Sequence, residues 1–144
     1  MLRLIARSCF YVLLILVVCI TMLFRSCEGN TPNYYVQREN YISVKGVVYY
    51  VTYSDDNTKV YFGISNSTHP LSSSYYVILS SNLQVARNNG FDEKVKVGSE
   101  VVLTVPANYY EGHTLPVAAL VVNGETLLDF EEGFQNMQQF YANQ

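Results

Sequence analysis

The sequence predicts a mainly β domain: a small Greek-key barrel of five or six short strands with a short C-terminal helix, preceded by an N-terminal transmembrane helix. Short runs of β-branched and aromatic residues recur between turn-forming residues, which is typical of strands. One longer polar stretch interrupts them, and an apolar segment without charge opens the chain. We therefore divide the 144 residues into a membrane segment (1–26), a linker (27–40) and a β domain (41–144).

The membrane segment is defined by residues 8–24, SCFYVLLILVVCITMLF, which carry no charge. At about 1.5 Å per residue, a helix of this length covers roughly 25 Å, at the short end of what spans a bilayer. No polar face appears at a period of 3.6 residues, which argues against a buried core helix. We expect an uncleaved signal anchor that contacts the membrane through residues 8–24.

Two alternatives stay open for this segment. A cleaved signal peptide needs small residues before the cut, and residues 23–26 offer only one. A lipoprotein signal would place lipid on Cys27, although Arg25 lies two positions before that thiol. Arg3 and Arg7 favour an N-terminus on the cytoplasmic side. The expected localisation is the cell membrane, single-pass, with the C-terminal domain outside the cytoplasm; a lipoprotein or a secreted protein are the alternatives.

The first half of the domain predicts three strands. Residues 41–53 are rich in β-branched and aromatic side chains, and Gly46 predicts a bulge or a bend near the middle of this strand. The sequence SDDNT at 54–58 is a turn by composition. The chain returns as a second strand at 59–64, and a polar loop leads to a third strand at 75–79.

A crossover separates the third strand from the fourth. Residues 81–96 carry few apolar side chains among amides and charges, which is consistent with a short helix or an irregular crossover. Gly98 and Ser99 then predict a turn, and residues 101–105 a fourth strand.

The last part of the domain predicts a hairpin and a helix. Residues 115–122 form a fifth strand, and Asn123–Gly124 is a strong signal for a two-residue hairpin turn into 125–128. In the tail, 129–143, apolar residues recur at offsets of 4, 3 and 4, which predicts an amphipathic helix that packs on the strands. These residues are Phe130, Phe134, Met137 and Tyr141.

The strand order and the segment KVGSEVVLTV (96–105) resemble an OB-fold. Over residues 41–128 the chain is similar to the small extracytoplasmic OB-like domains of short, membrane-anchored bacterial proteins. The resemblance implies a closed barrel, which would leave no exposed strand edges. A β-sandwich of the same strands is the alternative fold.

Charge bears on the class of partner. From Ser26 onward there are six basic residues against twelve acidic ones, a formal charge of −6. An OB-like domain that binds single-stranded nucleic acid stacks bases on aromatic residues inside a positive groove. The aromatic residues are present, but only Lys45, Lys94 and Lys96 could converge on one patch. Because an acidic domain repels phosphate backbones, nucleic acid is the least favoured partner.

Tyrosine is the most distinctive feature of the domain. Twelve of the 13 tyrosines lie outside the membrane segment, many in adjacent pairs. Neighbouring residues of a strand point to opposite faces, so we expect each strand pair to place one ring in the core and one outside. One interpretation is that tyrosine is simply a good β residue at half-buried positions. The other is a recognition surface of rigid rings, whose candidate residues are Tyr49, Tyr53, Tyr61, Tyr76, Tyr109 and Tyr110.

No catalytic or metal site is predicted. His69 and His113 lie in predicted loops, without the spacing of metal ligands, and are expected to be solvated. The sequence contains no glycine-rich phosphate loop and no GxSxG motif. We expect no enzyme activity and no cofactor.

The functional expectation is a membrane-tethered, extracytoplasmic binding or scaffold module that contacts another envelope protein. The alternative is a module that binds a glycan or a small ligand through the same tyrosines.

Overall fold

The structure is a computed structural model that describes residues 34–70, 75–108 and 114–143. The predicted membrane segment 8–24 and Cys27 lie outside these ranges. Among the helices within them, none has both the length and the apolar character needed to cross a membrane.

The fold is mainly β. A single seven-stranded sheet, in the order β5-β3-β2-β1-β4-β6-β7, curls into a half-barrel, and a helix follows the last strand. The elements are a 3₁₀ helix Arg38–Asn40, β1 Tyr41–Tyr53, β2 Val60–Ser65, β3 Tyr75–Ile78, α1 Ser80–Asn88, α2 Phe91–Lys94, β4 Glu100–Pro106, β5 Thr114–Pro116, β6 Ala119–Val122, β7 Glu125–Leu128 and α3 Phe130–Ala142.

The central strand β1 pairs with two neighbouring strands, β4 and β2. Its residues 41–47 pair with β4 and its residues 47–53 pair with β2, both antiparallel. Because the partner changes near the middle of the strand, the sheet curves around its inner face. That face holds the hydrophobic core, whose largest buried side chains include Phe62, Tyr76, Ile78, Leu83, Phe91, Leu103, Leu115 and Leu120.

The bulge that the sequence predicts at Gly46 lies a few residues further along β1. Gly46 pairs regularly with Val101, and the register of β1 against β2 shifts between Val48 and Tyr50. A Cβ atom on residue 46 would lie only 2.8 Å from Cδ1 of Ile64. Glycine is therefore required at this position by the close approach of β2. The bulge lies at the tyrosines that follow, between Val48 and Tyr50.

The predicted fifth strand, 115–122, is two strands. β5 pairs in parallel with β3, whereas β6 pairs antiparallel with β4. In the two residues between them, the Val117 N–H donates to the carbonyl oxygen of Val77 and the Ala118 N–H to that of Thr104, each at 2.9 Å. The strand breaks because the chain changes partner there, passing from β3 to β4 within two residues.

The crossover between β3 and β4 is helical, which resolves the two alternatives left by the sequence. Asn82 of α1 is buried, and its Nδ2 donates to the carbonyl oxygens of Val117 (3.1 Å) and Gly133 (3.2 Å). Its Oδ1 accepts a hydrogen bond of 2.9 Å from Asn136. One side chain thus joins α1, the break between β5 and β6, and α3.

The final hairpin and helix match the prediction. Asn123 and Gly124 both have positive φ, 49° and 86°, as a two-residue turn that follows the strand twist requires. The carboxylate of Asp129 accepts a hydrogen bond of 2.9 Å from the Glu131 N–H and so caps the N-terminus of α3.

Residues 34–40, which the sequence places in a linker, pack against α3. Tyr35 is buried, and its ring centroid lies 5.1 Å from that of Tyr141. Arg38 forms an ion pair with Glu131. The folded part of the chain therefore starts before β1.

Candidate functional site

The register of the sheet places two rows of residues on its outer face. Tyr50, Gly63, Tyr75 and Thr114 are aligned across β1, β2, β3 and β5. Residues aligned in this way point to the same face of a sheet and lie next to one another. The neighbouring row is formed in the same way by Thr52, Tyr61, Val77 and Pro116.

The bulge in β1 brings a further tyrosine to this face. Tyr49 and Tyr50 are 51% and 43% exposed, whereas Val48 before them is buried and Val51 after them packs against the core. An extra residue in one strand shifts the alternation of faces by one position. The expectation that one ring of this pair enters the core is therefore wrong.

The Tyr49 ring lies over Gly63. A Cβ atom on residue 63 would be 2.5 Å from Cζ of Tyr49 and 2.6 Å from its hydroxyl oxygen. The absent side chain of Gly63 leaves room for the ring, which covers the glycine backbone between Tyr50 and Tyr75. Three tyrosines thus meet around one glycine.

These residues line a groove of about 390 Å³, a volume within the range of roughly 300–1,000 Å³ that is usual for ligand sites. We call it the tyrosine groove, and its lining residues are Tyr49, Tyr50, Thr52, Tyr61, Tyr75 and Thr114. Each of these side chains carries a hydroxyl group, and none carries a charge.

The hydroxyl groups of the groove interact. Desolvation, and secondarily a hydrogen bond with Tyr75, raise the pKa of Tyr49 above its ordinary value. The Tyr49 hydroxyl is therefore protonated at neutral pH.

Of the predicted surface, the structure brings Tyr49 and Tyr61 together in the groove and places Tyr53 elsewhere. The Tyr53 hydroxyl donates to Oδ1 of Asp92 (2.7 Å), and the Arg87 guanidinium lies 5.4 Å from the Tyr53 ring centroid. Desolvation and the hydrogen bond to Asp92 raise the pKa of Tyr53. This ring connects β1 to the helices of the crossover.

Tyr76 is not a surface residue. It is fully buried, with its ring centroid 5.8 Å from that of Phe62, whereas Tyr75 is 46% exposed. The expected division of this pair between core and surface is confirmed, but the outer ring is Tyr75. Tyr109 and Tyr110 lie outside the described residues, in the segment that precedes Thr114 of the groove.

Two of the remaining polar candidates, His69 and Lys94, have structural partners. His69, expected to be solvated, is buried, with Nε2 3.3 Å from the carbonyl oxygen of Pro106. Of the three lysines that could converge, Lys94 forms an ion pair with Glu125. Lys45 lines a separate depression of about 370 Å³ together with Glu100. Within the described residues, no cluster of His, Cys, Asp or Glu is arranged to hold a metal ion.

The described residues that line the groove offer aromatic faces and hydroxyl groups. None of these described side chains is a carboxylate, imidazole, thiol or amine. Comparisons of the chain with protein-family models, curated proteins and solved structures give no match. What the chain can bind is therefore inferred from the groove.

Proposed function

We propose that this protein is a non-catalytic binding or scaffold module whose tyrosine groove holds part of another envelope protein. The observation that carries the proposal is the cluster of three exposed rings, Tyr49, Tyr50 and Tyr75, around Gly63. Tyrosine supplies a large, rigid contact area at a low cost in conformational entropy. Contiguous exposed aromatic surface of this kind usually marks an interaction site.

The half-barrel is an OB-like domain. Three features support this part of the proposal: the helical crossover between β3 and β4, the parallel pairing of β3 with β5, and the two-residue step from β5 to β6. In OB-folds, ligands bind on the face formed around the second and third strands. The tyrosine groove lies on that part of the sheet.

The domain is tethered to the membrane and lies outside the cytoplasm. The support comes from the sequence, in the charge-free residues 8–24 and the preceding Arg3 and Arg7. Protease added to intact spheroplasts should then remove a C-terminal tag, while the tag stays with the membrane fraction when the protease is omitted. Protection of the tag would contradict this topology.

A glycan is the second candidate ligand, favoured by one observation: all six described residues that line the groove carry a hydroxyl group. Hydroxyl groups donate and accept hydrogen bonds, as a sugar requires. Soluble cell-wall fragments would then change the tyrosine fluorescence of the protein in a saturable way. Nucleic acid lacks comparable support, because no cationic side chain is among the described residues that line the groove.

Site-specific photocrosslinking in the native host tests the proposed function. The crosslinking amino acid replaces Thr52, which lines the groove, or Val97, which is 70% exposed and is not among the lining residues. We expect one envelope protein to be captured from position 52 and not from position 97. Its capture should be lost when Tyr50→Ala is added. Equal recovery from both positions, or none from position 52, would refute the proposal.

A further inference from the structure

The spacing of the strands beneath the tyrosine groove restricts the shape of a ligand. Tyr50 and Tyr75 are each aligned with Gly63, from opposite sides of β2. Neighbouring strands lie about 4.8 Å apart, so two steps separate these tyrosines by roughly 9.5 Å across the sheet. A ligand that contacts both rings in an equivalent way needs a repeat close to this distance.

Among regular peptide conformations, the polyproline II helix has this repeat. It contains three residues per turn at about 3.1 Å each, or roughly 9.3 Å per turn. An extended strand repeats every roughly 6.7 Å, and an α-helix rises only about 5.4 Å per turn. We propose that the tyrosine groove binds a proline-rich segment in the polyproline II conformation, lying across the strands, with prolines three residues apart on Tyr50 and Tyr75.

The chemistry of the groove fits such a segment. A polyproline II helix has no internal hydrogen bonds, so its carbonyl oxygens need donors from elsewhere. The hydroxyl groups of Thr52, Tyr61 and Thr114 border the aromatic row and supply donors. The described lining residues are uncharged, which complements a peptide that is itself uncharged along its contact. Aromatic-lined grooves bind proline-rich peptides by this combination of ring faces and hydrogen bonds.

This inference rests on the proposed function and names the ligand class of the same groove. Its test uses the full-length chain in a non-ionic detergent micelle and a proline decamer with both ends capped, with titration calorimetry as the measurement. A capped Gly-Ser decamer is the matched control peptide. We expect saturable binding of the proline decamer and none of the control.

Variants locate the binding. Tyr50→Ala and Tyr75→Ala should each weaken binding at least about tenfold, as expected for central aromatic residues of an interface. Val97→Ala, an exposed apolar position not among the lining residues, should leave it unchanged. Thr52→Lys keeps every ring but introduces a charge, and should also weaken binding. It provides an independent check should an alanine variant fail to fold.

Peptide spacing tests the geometry itself. A capped repeat of Pro-Ala-Ala, with prolines three residues apart, should bind more tightly than a repeat of Pro-Ala of the same length. Equal affinities, or no binding of the proline decamer, would overturn the inference. The inference would also fail if cell-wall fragments bound in the groove and the proline decamer did not. If position 52 still captured an envelope protein, through a segment without proline, the proposed function would survive and only the ligand class would be wrong.

Discussion

Replacing Gly133 by alanine should destabilise the fold strongly, although helix propensity alone predicts the opposite. Gly133 lies inside α3, where alanine is favoured over glycine by about 1 kcal/mol. A Cβ atom at this position, however, would lie 1.9 Å from the carbonyl oxygen of Ala118. Real Cβ atoms essentially never approach another atom closer than 3.0 Å, so the helix and the chain at Ala118 must separate by more than 1 Å.

Neither side can move freely. The Ala118 N–H is bonded to Thr104 and the Val117 N–H to Val77, while Asn82 bonds to the carbonyl oxygen of Val117. Overpacking a core costs about 1–3 kcal/mol, and the loss of two of these hydrogen bonds adds roughly 2 kcal/mol. After subtracting the gain in helix propensity, the net loss in the free energy of unfolding is about 2–4 kcal/mol.

Urea unfolding of the full-length chain, followed by circular dichroism, measures this loss. Gln135→Ala is the matched control, because Gln135 is exposed on the same helix and its replacement should change stability by less than about 0.5 kcal/mol. If Gly133→Ala were as stable as the natural chain, or more stable, the close packing of α3 on Ala118 would be refuted.

Three further outcomes follow from local geometry. Burial raises the pKa of Tyr41 well above its ordinary value of 10, and its hydroxyl donates to the carbonyl oxygen of Tyr35. Folding therefore favours the neutral phenol, so stability is present below pH 10 and is lost as the pH rises above it. Tyr41→Phe should reduce the fall of the urea midpoint between pH 8 and pH 11. An equal fall in both proteins would contradict the raised pKa of Tyr41. Hydrogen bonds, first from the Ser54 hydroxyl and then from the Thr58 N–H, lower the pKa of Asp56 to about 2 from 3.8. The stability that the Asp56 carboxylate contributes is present above pH 3.8 and is lost as the pH falls toward 2. Asp56→Asn should therefore make the free energy of unfolding depend less on pH in this range. The same pH dependence in both proteins would contradict the lowered pKa. Gly124→Ala should cost about 1–2 kcal/mol, because alanine is strained at positive φ; an unaltered urea midpoint would exclude that strain.

Elements with local signals were predictable from the sequence. The limits of β1 follow from its continuous run of β-branched and aromatic residues, and Asn123–Gly124 specifies its own turn. The apolar period of α3 and the cap at Asp129 are also local, so the helix is recognisable without its partners.

The break between β5 and β6 has a single local signal, Pro116, which ends β5 and cannot donate a backbone hydrogen bond. Residues 115–122 are continuously apolar, as a single buried strand would be. What divides them is a change of partner, from β3 to β4, and the contact of Ala118 with Gly133. Both involve residues distant in the sequence. The packing of residues 34–40 on α3 was missed for the same reason.

The tyrosine groove depends on a one-residue shift that composition does not reveal. Strict alternation predicts that Tyr49 and Tyr50 lie on opposite faces, and only the bulge in β1 brings both outside. Gly63, on the neighbouring strand, leaves room for the Tyr49 ring, since a Cβ atom there would lie 2.5 Å from Cζ of Tyr49. Because a glycine in a strand costs stability and contributes no packing, its presence beneath three exposed rings is better explained by the surface it allows than by the fold. A larger residue at this position would displace the ring between Tyr50 and Tyr75, and so interrupt the continuous aromatic surface on which the proposed ligand binding depends.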